Sequence, residues 1–206
     1  GEARPRFNAT NATLSEDPDF ARLVMLACHD LRTPLATVHG FAHTLARDEG
    51  LDETTARYVG MIGTASGQMA ELIDQLSVAA RLAADRYDPP LRAADTLALA
   101  EGAAETLGEE RVGVSGEGAE LETDPDAMER AVAALARCLL RHGGLERVKI
   151  EVRGPELELA PVTPASAPVV LGEDLRDLGA AVAVRVIRAR GGSIEVDGET
   201  LRVRLV

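Results

Sequence analysis

From Val24 onward the apolar positions fall at Val24, Ala27, Leu31, Pro34, Val38, Phe41 and Leu45, alternating steps of three and four. That spacing gathers them on one stripe of a long helix and makes a heptad seam. A polar turn, RDEGLDE at 47–53, interrupts the stripe, and Tyr58, Ile62, Ala65, Met69, Leu72, Leu76 and Ala79 repeat it. Two helices joined by so short a loop are antiparallel neighbours. They share one mutual seam and leave apolar residues such as Leu26, Ile73 and Val78 over, so the economical arrangement is a homodimer that closes a four-helix bundle. A monomeric hairpin packed on the rest of the chain is the plainer alternative. Residues 1–15, GEARPRFNATNATLS, have no period and read as a flexible lead-in.

At Tyr87-Asp88-Pro89-Pro90 the helical pattern stops, because two prolines remove backbone donors and disfavour helix at the residue before them. The expected division is therefore 16–86 for the helical domain and 87–206 for a second one. In the second, a helix is expected at 94–107, strands at 111–115 and 119–122, and a helix from the cap Thr123-Asp124-Pro125 to His142. Strands at 147–153 and 156–160 come next, then a Pro-rich loop and a helix at 177–190 closed by Gly191-Gly192. A last hairpin, 193–205, turns at Asp197-Gly198. Helices interspersed with short strand pairs indicate an α+β sandwich, one sheet covered by helices.

Composition narrows the picture. Hydrophobic residues make up 46% but aromatics only 2%, with no Trp. The core must then be built from Ala, Leu and Val, which favours helix packing. A formal charge of -12 argues against nucleic acid or an anionic membrane surface as partner. No run of 18 apolar residues offers a membrane span, so no membrane contact is expected within this sequence. Cys28 and Cys138 make no disulfide framework, and free thiols suit a reducing cytoplasm. The chain begins with Gly rather than Met, which suggests a longer parent, membrane-bound or soluble.

The candidate chemistry sits on the first helix, in His29-Asp30-Leu31-Arg32-Thr33-Pro34-Leu35. In the heptad frame Ala27 and Leu31 point inward, so His29 falls on the solvated side, with Thr33 four residues on along the same face. Imidazole offers a nucleophilic nitrogen at physiological pH, and an adjacent carboxylate such as Asp30 can hold the other ring proton as positive charge develops. Pro34 deletes a helical hydrogen bond just beyond and should loosen the helix where partners dock. HDLRTPL on a helical hairpin resembles the phosphoacceptor box of two-component sensor histidine kinases. The likeness extends further: LIDQLSVAARL (72–82) is similar to the end of the family's second dimerisation helix, PPLRAADTLALAEGA to the entry of its ATP-binding domain, and ARGGSIEV (189–196) to the strand after its last helix. The resemblance implies His29 as the phosphorylated residue, Asp30 as the acid or base beside it, and Thr33 as the residue that orients water when a partner's aspartyl phosphate is hydrolysed. It implies a response regulator receiver domain as partner and a second domain with the histidine kinase ATPase fold.

That second domain departs from the family pattern in three places. The Asn that would hold Mg²⁺ is replaced by Cys138, a poor ligand for a hard cation. Where a DxGxG loop should read adenine, the chain has Ala160-Pro161-Val162-Thr163-Pro164-Ala165, with Pro161 in place of the Asp and Thr163 and Ala165 at the glycines. Before the last helix, Asp177-Leu178-Gly179-Ala180 sets a carboxylate where phosphates would approach. The expectation is a degenerate ATP-binding domain, with no nucleotide or metal cofactor and no metal-ligating residues. ATP and magnesium enter only under an alternative reading, a working autokinase, and a third reading is a dimeric scaffold without enzymatic activity. His39 and His43 lie one turn apart but lack a third ligand, and Cys28 is expected to be packing.

Overall fold

The computed structural model describes residues 18–206, so the lead-in expected at 1–15 lies outside the described residues. Two long helices come first, α1 (Pro18–Leu45) and α2 (Glu53–Ala83). α1 runs unbroken across Pro34. Asp52 caps α2, its carboxylate accepting from the Thr55 backbone N–H at 3.0 Å and the Thr55 hydroxyl at 2.6 Å, which satisfies a donor that the helix cannot.

The stripe on which the helices meet differs from the expected one. Buried or half-buried positions recur every seven residues at Ala21, Cys28, Leu35 and Ala42 on α1, and at Val59, Ser66, Ile73 and Ala80 on α2. These are mostly small side chains, which bring the helices close but carry little hydrophobic signal in a sequence. The more apolar stripe faces outward instead: Leu31, Val38, Phe41, Leu45, Tyr58, Ile62, Met69, Leu72 and Leu76 are each at least 41% exposed. Ile73 therefore belongs to the seam and Val78 packs on the α/β core, rather than both being left over.

The remainder comprises β1 (Arg92–Asp95), α3 (Thr96–Leu107), β2 (Val112–Gly118), β3 (Glu120–Thr123), α4 (Pro125–Gly143), β4 (Val148–Gly154), β5 (Glu156–Ala160), α5 (Ala167–Val170), α6 (Leu178–Ala189), β6 (Ser193–Asp197) and β7 (Thr200–Arg204). Five strands form one mixed sheet in the order β2-β4-β5-β7-β6, with β2 and β4 parallel and the other pairs antiparallel. The expectation of a single sheet is corrected here, since β1 and β3 form a separate antiparallel pair. Only Ala119 separates β2 from β3, too little for a hairpin loop, so the chain changes sheets instead of folding back. Thr96 ties the junction: its buried hydroxyl donates to the Gly154 carbonyl at 2.6 Å and accepts from the Ala119 N–H at 2.9 Å.

Each central strand alternates as a half-covered sheet requires. Val148, Ile150 and Val152 of β4 are buried, while Lys149, Glu151 and Arg153 are exposed. The buried face joins Met128, Val132, Leu135 and Leu139 of α4 and Val182, Val186 and Ile187 of α6 in one core. That core is made of Leu, Val, Ile and Ala with Met128 and Cys138, as the composition implied. Gly191, at φ +83°, ends α6, and a Cβ on Gly192 would stand 2.5 Å from the Arg204 carbonyl, so the chain needs glycines to enter β6.

Candidate functional site

His29 stands on α1 with 78% of its side chain exposed, and Asp30 beside it with 68%. His29 Nδ1 lies 3.2 Å from Asp30 Oδ1. A carboxylate only accepts, so Nδ1 carries the proton and the Nε2 lone pair is left facing solvent. Thr33, one turn on, is also exposed, and its carbonyl accepts from the Thr37 hydroxyl at 3.1 Å. Helical spacing puts Met25, His29 and Arg32 on one face (i, i+4, i+7). Met25 and Arg32 line a cavity of about 650 Å³ between the hairpin and the α/β part, whose far wall includes Ala131, Arg137 and Val182. The histidine is thus displayed beside the gap between the two parts of the chain. Arg32 reaches across to Asp74 of α2 at 2.8 Å.

Two further residues that the sequence singled out, Cys138 and Asp177, meet at a second place. Cys138 is fully buried in the core, and burial, with Asp177 nearby, pushes its thiol up to about 12. Asp177 caps α6, its Oδ1 accepting from the Ala180 N–H at 3.0 Å, so the carboxylate itself occupies one of the donors of that helix end. Between β5 and α6 the loop closes on itself. The Thr163 N–H donates to the Ser166 hydroxyl at 3.0 Å, the Ser166 N–H returns to the Thr163 carbonyl at 3.0 Å, and Ser166 is wholly buried. Val162, Val169 and Val170 then sink into the core, and α5 packs against both α4 and α6.

His142 joins this cluster unexpectedly, with Nε2 3.2 Å from Asp177 Oδ2. Its spacing of four from Cys138 was the signal available in the sequence, but Asp177, 35 residues on, could be added only by the fold. His39 Nδ1 sits 2.9 Å from the Ser66 hydroxyl, so His39 is used in packing α1 on α2. Cys28 is buried in the same seam, as expected of a packing residue. No helix among the described residues is long and apolar enough to cross a membrane.

Comparison with known proteins gives these features a family. Residues 21–85 match the His Kinase A (phospho-acceptor) domain. The chain superposes on full-length ShkA, solved in complex with AMPPNP, with a TM-score of 0.64 and 19% identity, over 89% of this chain and 44% of that one. It superposes on the histidine kinase AdeS of Acinetobacter baumannii with a TM-score of 0.54 and 16% identity, over 86% of this chain and 96% of that one. At such identities the likeness concerns the fold, and the chain spans less than half the length of ShkA. No curated protein matches it in sequence. The helical hairpin displaying HDLRTPL is the part that the domain model matches, and the α/β fold that follows it is shared with those solved structures. Residues 21–85 thus carry a His Kinase A (phospho-acceptor) domain, and the fold of the chain is similar to that of solved histidine kinases.

Proposed function

We propose that this chain is a dimeric phosphotransfer protein in which His29 exchanges a phosphoryl group with the receiver aspartate of a response regulator, without useful ATP binding. Exposure of His29 beside Asp30, in a chain whose helix end at α6 is capped by its own Asp177, carries the reading. In transfer from the receiver, the Nε2 lone pair attacks phosphorus, the N–P bond forms, and the aspartyl O–P bond breaks to release the carboxylate. The ring gains positive charge, which the Nδ1–H bond to Asp30 stabilises. Transfer in the other direction reverses each step. Thr33, exposed one turn away, is placed to orient a water against a receiver's aspartyl phosphate.

Loss of ATP use is supported by Cys138 in the metal-binding Asn position and by the closed loop at 163–166. Phosphoryl transfer from a nucleotide depends on positioning and on cations that neutralise developing charge, and a buried thiol supplies neither to Mg²⁺. The outward stripe from Leu31 to Leu76 supports the dimer, because an exposed apolar seam of that length needs a partner.

A phosphorylated receiver mixed with the chain tests the reading. Acid-labile label should appear on His29 and vanish in His29→Gln, while Thr33→Ala chiefly slows receiver dephosphorylation. Exchange by His29→Gln at the wild-type rate would sink the proposal, and absence of any exchange would leave the scaffold reading. Label reaching His29 from the γ-phosphate of ATP would establish the autokinase.

A further inference from the structure

Cys138 Sγ, a ring nitrogen of His142 and a carboxylate oxygen of Asp177 all lie within 4.8 Å of one another. Among the described residues they form the one group of three or more potential ligands from His, Cys, Asp and Glu. Two come from one face of α4, a turn apart, and the third from the N-cap of α6. We propose that these three residues bind a borderline divalent metal ion, with zinc as the occupant their chemistry fits best.

The argument begins with the donors. Thiolate, imidazole and carboxylate are the zinc ligand set, and three protein ligands leave a fourth tetrahedral position for water. Bonds of roughly 2.0–2.1 Å to nitrogen and 2.0–2.2 Å to oxygen set a nitrogen-to-oxygen edge of about 3.3 Å in a tetrahedron. The observed separation of His142 Nε2 from Asp177 Oδ2 is 3.2 Å, so an ion enters between them with almost no movement of either. Asp177 Oδ1 is held by the Ala180 N–H, which fixes the carboxylate and leaves Oδ2 for the metal, the outer support such a ligand needs. Burial grades across the site: Cys138 is sealed in the core, while the side chains of His142 and Asp177 are 16% and 13% exposed. The ion therefore has a route in on one side and a dry sulfur ligand on the other.

Charge balance favours occupancy. A thiolate and a carboxylate together cancel a divalent cation, and the thiol proton leaves to solvent when the metal binds. Mg²⁺ is excluded by the same donors, since it asks for oxygen ligands in an octahedron. The site thus lies where the family places its Mg²⁺ ligand but selects a different ion. Occupied, it would clamp the last turn of α4 to the first turn of α6. Nothing in this depends on whether His29 is phosphorylated.

Cobalt(II) is the probe, added to the full reduced chain and followed by absorption. The expected result is one ion per chain, with tetrahedral d–d bands and a sulfur-to-cobalt charge-transfer band, both displaced by zinc. Cys28→Ser should leave the spectrum intact, and Cys138→Ser should abolish the charge-transfer band. His142→Gln, which alters a partly exposed side chain, should weaken affinity by at least the roughly 10–100-fold that loss of even an outer partner costs. A folded wild-type chain that gives no charge-transfer band would overturn the proposal, as would a band that survives Cys138→Ser. Should that variant unfold, unchanged affinity in His142→Gln would overturn it equally.

Discussion

Arg137 Nη1 of α4 stands 2.6 Å from Glu71 Oε1 of α2, so an ion pair fastens the α/β part to the hairpin at the edge of the cavity. Its partners are 41% and 50% exposed, which leaves water free to screen them. Glu71→Gln should therefore cost no more than about 1 kcal/mol, and the difference should disappear in molar salt. Leu139, fully buried two residues along α4, sets the contrast: Leu139→Ala should cost about 2–5 kcal/mol whatever the salt. Denaturant unfolding of both variants at low and high ionic strength checks the ranking.

The outward stripe makes a sharper demand. Phe41 is 68% exposed in an apolar row that nothing else among the described residues covers; such a row marks a contact surface, and the proposed reading puts a second copy there. Light scattering should report twice the chain mass at micromolar concentration, and Phe41→Glu should halve it while circular dichroism retains the helical signal. A wild-type chain that stays monomeric removes the dimer from the proposed function.

Asp52 ties the hairpin to pH. Hydrogen bonds from the Thr55 side chain, then from the Thr55 backbone N–H, hold its carboxyl below the usual carboxylate range. A depressed folded pKa means that the unfolded chain binds the proton more readily, so this stabilisation is complete above the ordinary value and fades as pH falls through the lowered one. Acid titration of helix content should show Asp52→Asn losing that part of the pH dependence, and Asp52→Ala should lower stability at neutral pH by removing the cap. An unchanged acid profile in Asp52→Asn would show that the cap is not what titrates.

Much of this was legible because local signals were strong. The caps Asp124 and Asp177, the Gly191 stop and the period of two in β4 each fix an element within a residue or two, since one side chain decides the backbone there. The hairpin seam was misread because Ala21, Cys28, Ala42 and Ser66 contribute shape rather than hydrophobicity, and a pattern of apolar residues finds the stickier stripe first. The two-sheet arrangement depends on Ala119 being a link too short to turn, a constraint visible only once strand ends are known. His29, Asp30 and Thr33 are exposed, but not for the reason the heptad frame supplied, since Ala27 and Leu31 face outward as well and the inward stripe runs through Cys28 and Leu35. His142 was missed because its partner comes from another helix, and no spacing rule reaches across 35 residues.

Replacing Cys138 with Asn offers the most direct probe of the nucleotide question. If the thiol were the only obstacle, Cys138→Asn would recover a magnesium ligand and with it ATP binding. The surrounding structure argues otherwise. Asp177 still caps α6 and keeps a negative charge at the helix end that a triphosphate would approach. The 163–166 turn still satisfies its own donors and acceptors, and Val162, Val169 and Val170 still occupy core volume between α4 and α6. Opening that segment would expose three valines to water, at about 1.5–3 kcal/mol each, before a nucleotide made any contact. Calorimetric titration with ATP and Mg²⁺ should therefore find affinity weaker than roughly millimolar for the wild type, equivalent to less than about 4 kcal/mol, and no rescue in Cys138→Asn. Saturable binding at about ten micromolar by the wild type, with label from γ-phosphate on His29, would restore the autokinase; rescue by Cys138→Asn alone would show that the loop opens more easily than its packing implies.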